Sequence, residues 1–206
     1  MEKQIVVFAS GTGSNFISII DKINSKNLNA KVCMLVSNNP KCGAVNFAAN
    51  NKIDVFIYNS TRFPNDDKQK FLINKLDSYN LDLILLAGYM KKISQSLINR
   101  FKNKIMNIHP SLLPLYGGKG FYGLKVHKAV FKNGDKKTGA TVHFIDNNYD
   151  TGPILIQEQI NLKTDETPET IAEKVLEVEH KIYFKALKLF CQNKIYWHNN
   201  KPLIKG

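Results

Sequence analysis

Short apolar runs recur through the first half of the chain with helical patterns between them, and this alternation constrains the fold more than any other feature. The runs are Gln4–Ala9, Lys31–Ser37, Val55–Tyr58, Leu81–Ala87 and Ile105–Ile108. Helical periodicity covers Asn15–Asn24, Gly43–Asn50, Asp66–Tyr79 and Ser94–Phe101. Strands that lack a polar face must be covered on both sides, and parallel neighbours need a crossover about as long as a helix. Such crossovers are right-handed. The expectation is an α/β fold, a doubly wound and mostly parallel sheet with helices on both faces. Ligands of such sheets gather beyond the carboxyl ends of the strands, so the loops after the strands become the place to look for chemistry.

The second half changes character. The Gly-rich stretch Leu115-Tyr116-Gly117-Gly118-Lys119-Gly120 precedes a helical pattern from about Leu124 to Phe131. Ala140–Ile145 and Pro153–Leu162 read as strands that extend the sheet in mixed, antiparallel sense. A long helix then opens with Thr167 as N-cap and Pro168 at its first position, the arrangement that helix starts favour. Its core stripe is expected at Ile171, Val175, Val178, Ile182, Ala186 and Leu189. No linker separates the halves. One domain is expected over 1–206, made of a mononucleotide-binding α/β half, 1–109, and a C-terminal half, 110–206.

Composition closes off several function classes. No apolar run approaches the ~18 residues of a spanning helix, and Ile5-Val6-Val7-Phe8 is too short for a signal-peptide core. A soluble, cytoplasmic protein is expected. The net charge is +12, with 29 basic residues of which only Arg62 and Arg100 are Arg. A dedicated reader of nucleic acid would use more Arg, whose guanidinium forks onto bases and phosphates. The lysines are spread along the whole chain, so no nucleic-acid partner is expected, although a positive field draws in small anions. Cys33, Cys42 and Cys191 are odd in number and lack C-x-x-C spacing; reduced thiols are expected, with no metal site.

Three segments can carry chemistry. Ser10-Gly11-Thr12-Gly13-Ser14-Asn15 follows a strand and opens a helix. Its backbone N–H groups and the helix dipole make a seat for one phosphate. Phe16 breaks the dinucleotide pattern, and no Gly-Lys-Ser/Thr follows. A tight βα turn that needs glycine for its backbone would give the same letters. In Met106-Asn107-Ile108-His109-Pro110-Ser111-Leu112-Leu113-Pro114, Asn107 and His109 stand two apart at a strand end and project to one side. Amide and imidazole together can hold the oxygen of a carbonyl turning tetrahedral, and the two prolines stiffen the turn beyond them. A core histidine satisfied by a carbonyl is the competing explanation. In Asn147–Pro153, Asp150 is either a turn carboxylate or, beside His109, a group that orients the imidazole and raises its pKa. His127, His143, His180 and His198 are weaker candidates, though His143 precedes Asp150 closely enough to line the same cleft.

These segments, with Leu86–Met90 and Gly139–Phe144, occur in an order and spacing that resembles the phosphoribosylglycinamide formyltransferases, folate-dependent enzymes of purine biosynthesis within the formyltransferase family. The likeness spans nearly the whole chain, and Trp197–Gly206 informs it least. It implies the formyltransferase fold, with the folate site in the C-terminal half, and transfer of a formyl group from 10-formyltetrahydrofolate, as co-substrate, to the amine of glycinamide ribonucleotide. By the same resemblance Asn107, His109 and Asp150 match the catalytic trio; Gly13, Ser14 and Asn15 match the phosphate seat. Met90, Lys91, Lys92 and Ile93, with Asn107, match the folate contacts, and Glu179 matches an acidic residue on the ribonucleotide. On residues alone Glu179 reads equally as a solvated helix face. Small-molecule substrates, no metal, no membrane and a monomer or homodimer are implied. Two departures stand out. Lys91-Lys92 replaces an Arg and an apolar residue of some relatives, and Arg62, Asn65 and Lys68 compete for the place of a basic contact. The rival formyltransferase-like activities are methionyl-tRNA formyltransferase, which usually carries a further C-terminal domain, and formyltetrahydrofolate deformylase, which carries a second His where Pro110 stands. A non-enzymatic mononucleotide-binding module would keep Gly11 and Gly13 without needing Asn107 and His109.

Overall fold

A computed structural model describes residues 1–66 and 69–205. They form two compact units, Met1–Met106 and Asn107–Gly206.

The first unit alternates β1 (Lys3–Phe8), α1 (Ser14–Ser25), β2 (Ala30–Ser37), α2 (Gly43–Asn50), β3 (Asp54–Ile57), α3 (Lys70–Asp77), β4 (Leu83–Leu86) and α4 (Gln95–Arg100). Its strands lie in the order β3-β2-β1-β4, and the three pairings are parallel. β1 sits inside this set, and Ile5, Val6, Val7 and Phe8 are wholly buried. That is why the run shows no polar face. The helices cover it with Phe16, Ile19 and Ile23 of α1, Ala44 and Ala48 of α2, Leu72 and Leu76 of α3, and Leu97 of α4.

Of the helix expected over Asp66–Tyr79, residues 67 and 68 lie outside the described residues, and α3 covers Lys70–Asp77. Gln69 takes a left-handed φ of 54° and stops the helix from starting earlier. The carboxylate of Asp66 lies upstream and accepts from the backbone N–H of Lys70 and Phe71 at 2.6 and 3.0 Å. An acidic side chain thus satisfies the first turn from outside it.

β5 (Ile105–His109) opens the second unit with its last three residues; α5 (Leu124–Lys132), β6 (Lys137–Phe144), β7 (Ile154–Asn161), α6 (Pro168–Cys191), β8 (Ile195–His198) and β9 (Lys201–Ile204) follow. β6 lies between β5 and β7 and pairs antiparallel with β7. The expected class, α/β with mostly parallel strands and an antiparallel extension in the C-terminal half, is the observed one.

α6 begins as expected. The Thr167 hydroxyl accepts from the Thr170 N–H at 3.2 Å, the Thr170 hydroxyl accepts from the Thr167 N–H at 2.9 Å, and Pro168 follows the cap. Its stripe is buried from Ile171 to Ala186, but at the C-terminal end Leu187 is buried and Leu189 only half-buried. A straight helix drifts against a seven-residue spacing, so the buried face moves off Leu189. The β8–β9 hairpin lies in the segment whose letters looked least informative. Asn199 and Asn200 take φ of 47° and 58°, the left-handed pair that a two-residue hairpin turn requires. Trp197 packs edge-on against Phe144, with centroids 4.8 Å apart.

Candidate active site

β5 carries Asn107 and His109 on the same side, as strand parity demands. Ile105, Met106 and Ile108 of the strand are buried; Asn107 is half-buried and His109 only 4% exposed. Asp150 comes to the pair from the connection between β6 and β7, in a left-handed conformation with φ 58°. A non-glycine residue held there is strained, and such strain persists only where the surroundings fix it. Gly152 explains part of the fixing, because a Cβ on it would collide with the Phe144 carbonyl. The Gly118 N–H donates to Asp150 Oδ2 at 2.9 Å.

The result is a buried cluster within the second unit. His109 Nδ1 lies 3.6 Å from Asp150 Oδ1, and His109 Nε2 lies 2.8 Å from the Tyr116 carbonyl oxygen. Both ring nitrogens therefore face acceptors, which suits a doubly protonated imidazole. Burial works the other way and is the larger effect. It pulls the His109 pKa below its ordinary value, against the Asp150 charge and the Tyr116 carbonyl, which raise it. The expectation that Asp150 raises the imidazole pKa holds for its own contribution but not for the net shift. Burial likewise pushes Asp150 up, but the neighbouring imidazoles of His143 and His109 and the Gly118 N–H outweigh it and keep the carboxyl below its usual range.

His143 belongs to the same cluster, with Nε2 at 3.1 Å from Asn107 Nδ2 and 3.7 Å from Asp150 Oδ1. His127, on α5, is 4% exposed, and its Nδ1 has no partner among the described residues. Burial, with the charge of His109 second, pushes its pKa down to about 4. His180 is half-buried and His198 exposed. Glu179 is 8% exposed on α6, so a solvated helix face does not describe it.

The first unit holds the other expected segments. Gly13, at the N-cap of α1, has φ 85°, and a Cβ there would stand 2.8 Å from that of Ala44. Glycine at 13 therefore has a backbone reason of its own. Gly11 is different, since a Cβ on it meets nothing within 4 Å. Ser14 and the buried Asn15 form the first turn of α1, which carries no acidic side chain. Ser10 ties this loop to the Met90 segment: its hydroxyl donates to Asn38 and accepts from the Met90 N–H at 2.8 Å. In that segment Met90, Lys91 and Lys92 are exposed and Ile93 is buried. Gln69 clasps it by donating from Nε2 to the Lys92 carbonyl at 3.3 Å and accepting from the Ser94 N–H at 2.9 Å. Arg62 and Asn65 are exposed in the loop after β3, and Lys68 lies outside the described residues. Sequence reasoning named Ser10 only as part of its loop and gave no role to Gln69 or the Tyr116 carbonyl, since single polar groups in loops give no periodic signal.

Chemically, the cluster of the second unit offers an amide N–H, an imidazole and an orienting carboxylate at a buried strand end. Those are the requirements for stabilising and protonating a carbonyl oxygen that gains charge. Comparison with known proteins gives the family. Residues 3–187 match the model of the formyl transferase family. The chain is 41% identical over 99% of its length to the chloroplastic phosphoribosylglycinamide formyltransferase of Arabidopsis thaliana, of which it covers 71%. It is 36% identical over 90% of its length to phosphoribosylglycinamide formyltransferase of Bacillus subtilis (strain 168), of which it covers 93%. Among solved structures, phosphoribosylglycinamide formyltransferase of Coxiella burnetii, in complex with CHES, superposes with a TM-score of 0.91 at 31% identity, covering 100% of this chain and 95% of that one. A formyltetrahydrofolate deformylase of Pseudomonas syringae pv. tomato str. DC3000 superposes at 0.88 but with 19% identity, over 100% of this chain and 67% of that one. That likeness is one of fold.

Proposed function

The chain belongs to the formyl transferase family, and on that premise we propose that it transfers the formyl group of 10-formyltetrahydrofolate to the amine of 5-phosphoribosylglycinamide. The products are formylglycinamide ribonucleotide and tetrahydrofolate, in de novo purine biosynthesis. The observation that carries the reading is the buried His109 facing Asp150, with Asn107 beside it on the same side of β5, taken with the names of the similar proteins.

In the reaction the amine nitrogen attacks the formyl carbon, and the C=O π pair moves to oxygen. Asn107 and His109 donate to that oxygen, where fixed donors stabilise the developing charge more than they stabilise the ground-state carbonyl. The amine then loses a proton, the bond from the formyl carbon to folate nitrogen breaks, and that nitrogen gains a proton. His109 delivers protons in this scheme, and Asp150 holds the ring and favours its charged form. Because one ring nitrogen faces Asp150 and the other the Tyr116 carbonyl, the substrate oxygen must displace one of these contacts to receive a proton.

We assign the ribonucleotide phosphate to Gly13, Ser14 and Asn15, where backbone N–H groups at a helix N-terminus favour an anion. Glu179 is assigned to the ribonucleotide, and Met90, Lys91, Lys92, Ile93 and Asn107 to the folate. The acceptor distinguishes this reading from its rivals. Consumption of 10-formyltetrahydrofolate should require the ribonucleotide and yield its formyl derivative one for one. Formate released equally fast without it would favour a deformylase, and preference for methionyl-tRNA would favour the tRNA enzyme. Among the described residues no helix is long and apolar enough to cross a membrane. The cytoplasm is part of the proposal, and fractionation tests it, since plant relatives are named as chloroplastic.

A further inference from the structure

His143 has no part in the transfer as just described, yet it is 1% exposed and held at the centre of the cluster. β6 presents it at an irregularity, because the register against β7 shifts between Val142 and His143. A bulge of this kind re-aims one side chain and is common beside active sites. Nδ1 of the ring lies 3.0 Å from the Phe144 carbonyl oxygen, which can only accept, so Nδ1 carries the hydrogen. Nε2 is then a bare acceptor, and the group within hydrogen-bond distance of it is Asn107 Nδ2, at 3.1 Å. Asp150 Oδ1, at 3.7 Å from the same nitrogen, is too far for a good bond.

A carboxamide fits its surroundings in two orientations, half a turn apart, that exchange donor for acceptor. With Oδ1 toward Nε2, two lone pairs would oppose each other in a buried place, and neither would be satisfied. With Nδ2 toward Nε2 the bond forms, and the amide keeps a second N–H to offer elsewhere. We propose that His143 is a positioning residue: its Nε2 fixes the Asn107 carboxamide so that an N–H, rather than the carbonyl, meets the developing formyl oxygen. The proposal rests on the formyl-transfer reading of this site.

The test compares His143→Leu, His143→Gln and His143→Asn with a double-mutant cycle on Asn107. The Gln side chain carries an acceptor to where Nε2 stood, whereas Asn ends near the position of Nδ1. His143→Leu and His143→Asn should lower kcat roughly 10- to 100-fold, with KM for both substrates within about threefold. His143→Gln should recover most of the loss. In the Asn107→Ala background His143→Leu should change kcat by less than about threefold, because the group it acts through is gone. A loss in that background as large as in the parent overturns the proposal, as does a folded His143→Leu with near-parental kcat. Should the Leu variant fail to fold, equal kcat in the Gln and Asn variants overturns it instead. A nitrogen-15 spectrum of the parent near neutral pH should show the hydrogen of His143 on Nδ1, and the opposite tautomer contradicts the orientation argued for Asn107. A parent with no ribonucleotide-dependent turnover contradicts the transfer reading, and the spectrum then decides the Asn107 orientation by itself.

Discussion

His109 is drawn in two directions at once, and the balance sets how it works. Burial favours the neutral ring and wins, while Asp150 at 3.6 Å and the Tyr116 carbonyl favour the charged one. Replacing Asp150 by Asn removes one of the opposing effects and lowers the His109 pKa further. The falling limb of kcat against pH should therefore move to lower pH in Asp150→Asn than in the parent, and an unmoved limb would detach Asp150 from the imidazole. The pair Asn107 and His109 was readable in the sequence because strand parity puts i and i+2 on one side. The net sign of the pKa shift was not, because burial depends on everything packed around the ring. His143 was legible only as a neighbour, since its aim depends on a bulge that no spacing reveals. His127 shows the same physics as a stability effect. Its folded pKa of about 4 lies below the ordinary 6.5, so the unfolded chain takes up the proton first. Stability linked to this ring is present above pH 6.5 and is lost as pH falls toward 4, by ~3 kcal/mol in all. In urea titrations at a series of pH values, His127→Gln should lose less stability over that window than the parent, and parallel losses would refute the assignment.

At the scale of elements, the ends of helices carried much of what could be read and some of what could not. Thr167 and Pro168 announce α6, and the reciprocal bonds of Thr167 and Thr170 bear that out. Thr167→Ala should cost about 1 kcal/mol, seen as a fall in Tm of roughly 2–4 °C for a domain of this size. Thr167→Ser should restore it, and an unchanged Tm would mean the cap is not stabilising. α3 was harder, because its first turn is satisfied by Asp66 from outside the helix while Gln69 breaks the periodicity that letters alone suggest. The hairpin at Asn199-Asn200 did carry a signal, two residues tolerant of positive φ between short apolar runs, but a two-stranded ribbon is weakly specified until something packs on it. Here that partner is Phe144, which takes up Trp197.

For the whole molecule, the alternation of apolar runs and helical patterns defines the α/β class because parallel strands need helical crossovers. The charge of +12 acts at this scale as well. Both proposed substrates are anionic, so kcat/KM for the ribonucleotide should fall as salt rises, with kcat nearly unchanged. Salt-independent kcat/KM would mean that the lysine excess does not steer substrate. Apart from the family resemblance, nothing in spacing or periodicity supplies the assembly of Asn107, His109 and Asp150 across more than forty residues of chain, since that contact depends on the strained turn at Asp150 and the glycines around it. In the proposed reaction that assembly acts as one device. Its most direct test is kcat at saturating substrates for Asn107→Ala, His109→Ala and the triple Asn107/His109/Asp150 variant, each confirmed folded by circular dichroism. Loss of a preorganised donor is worth ~2.7–4 kcal/mol, so Asn107→Ala should lower kcat by about two to three orders of magnitude, and His109→Ala by at least as much. The triple variant should be scarcely worse than the worst single one, whereas a folded His109→Ala with near-parental kcat would contradict the account.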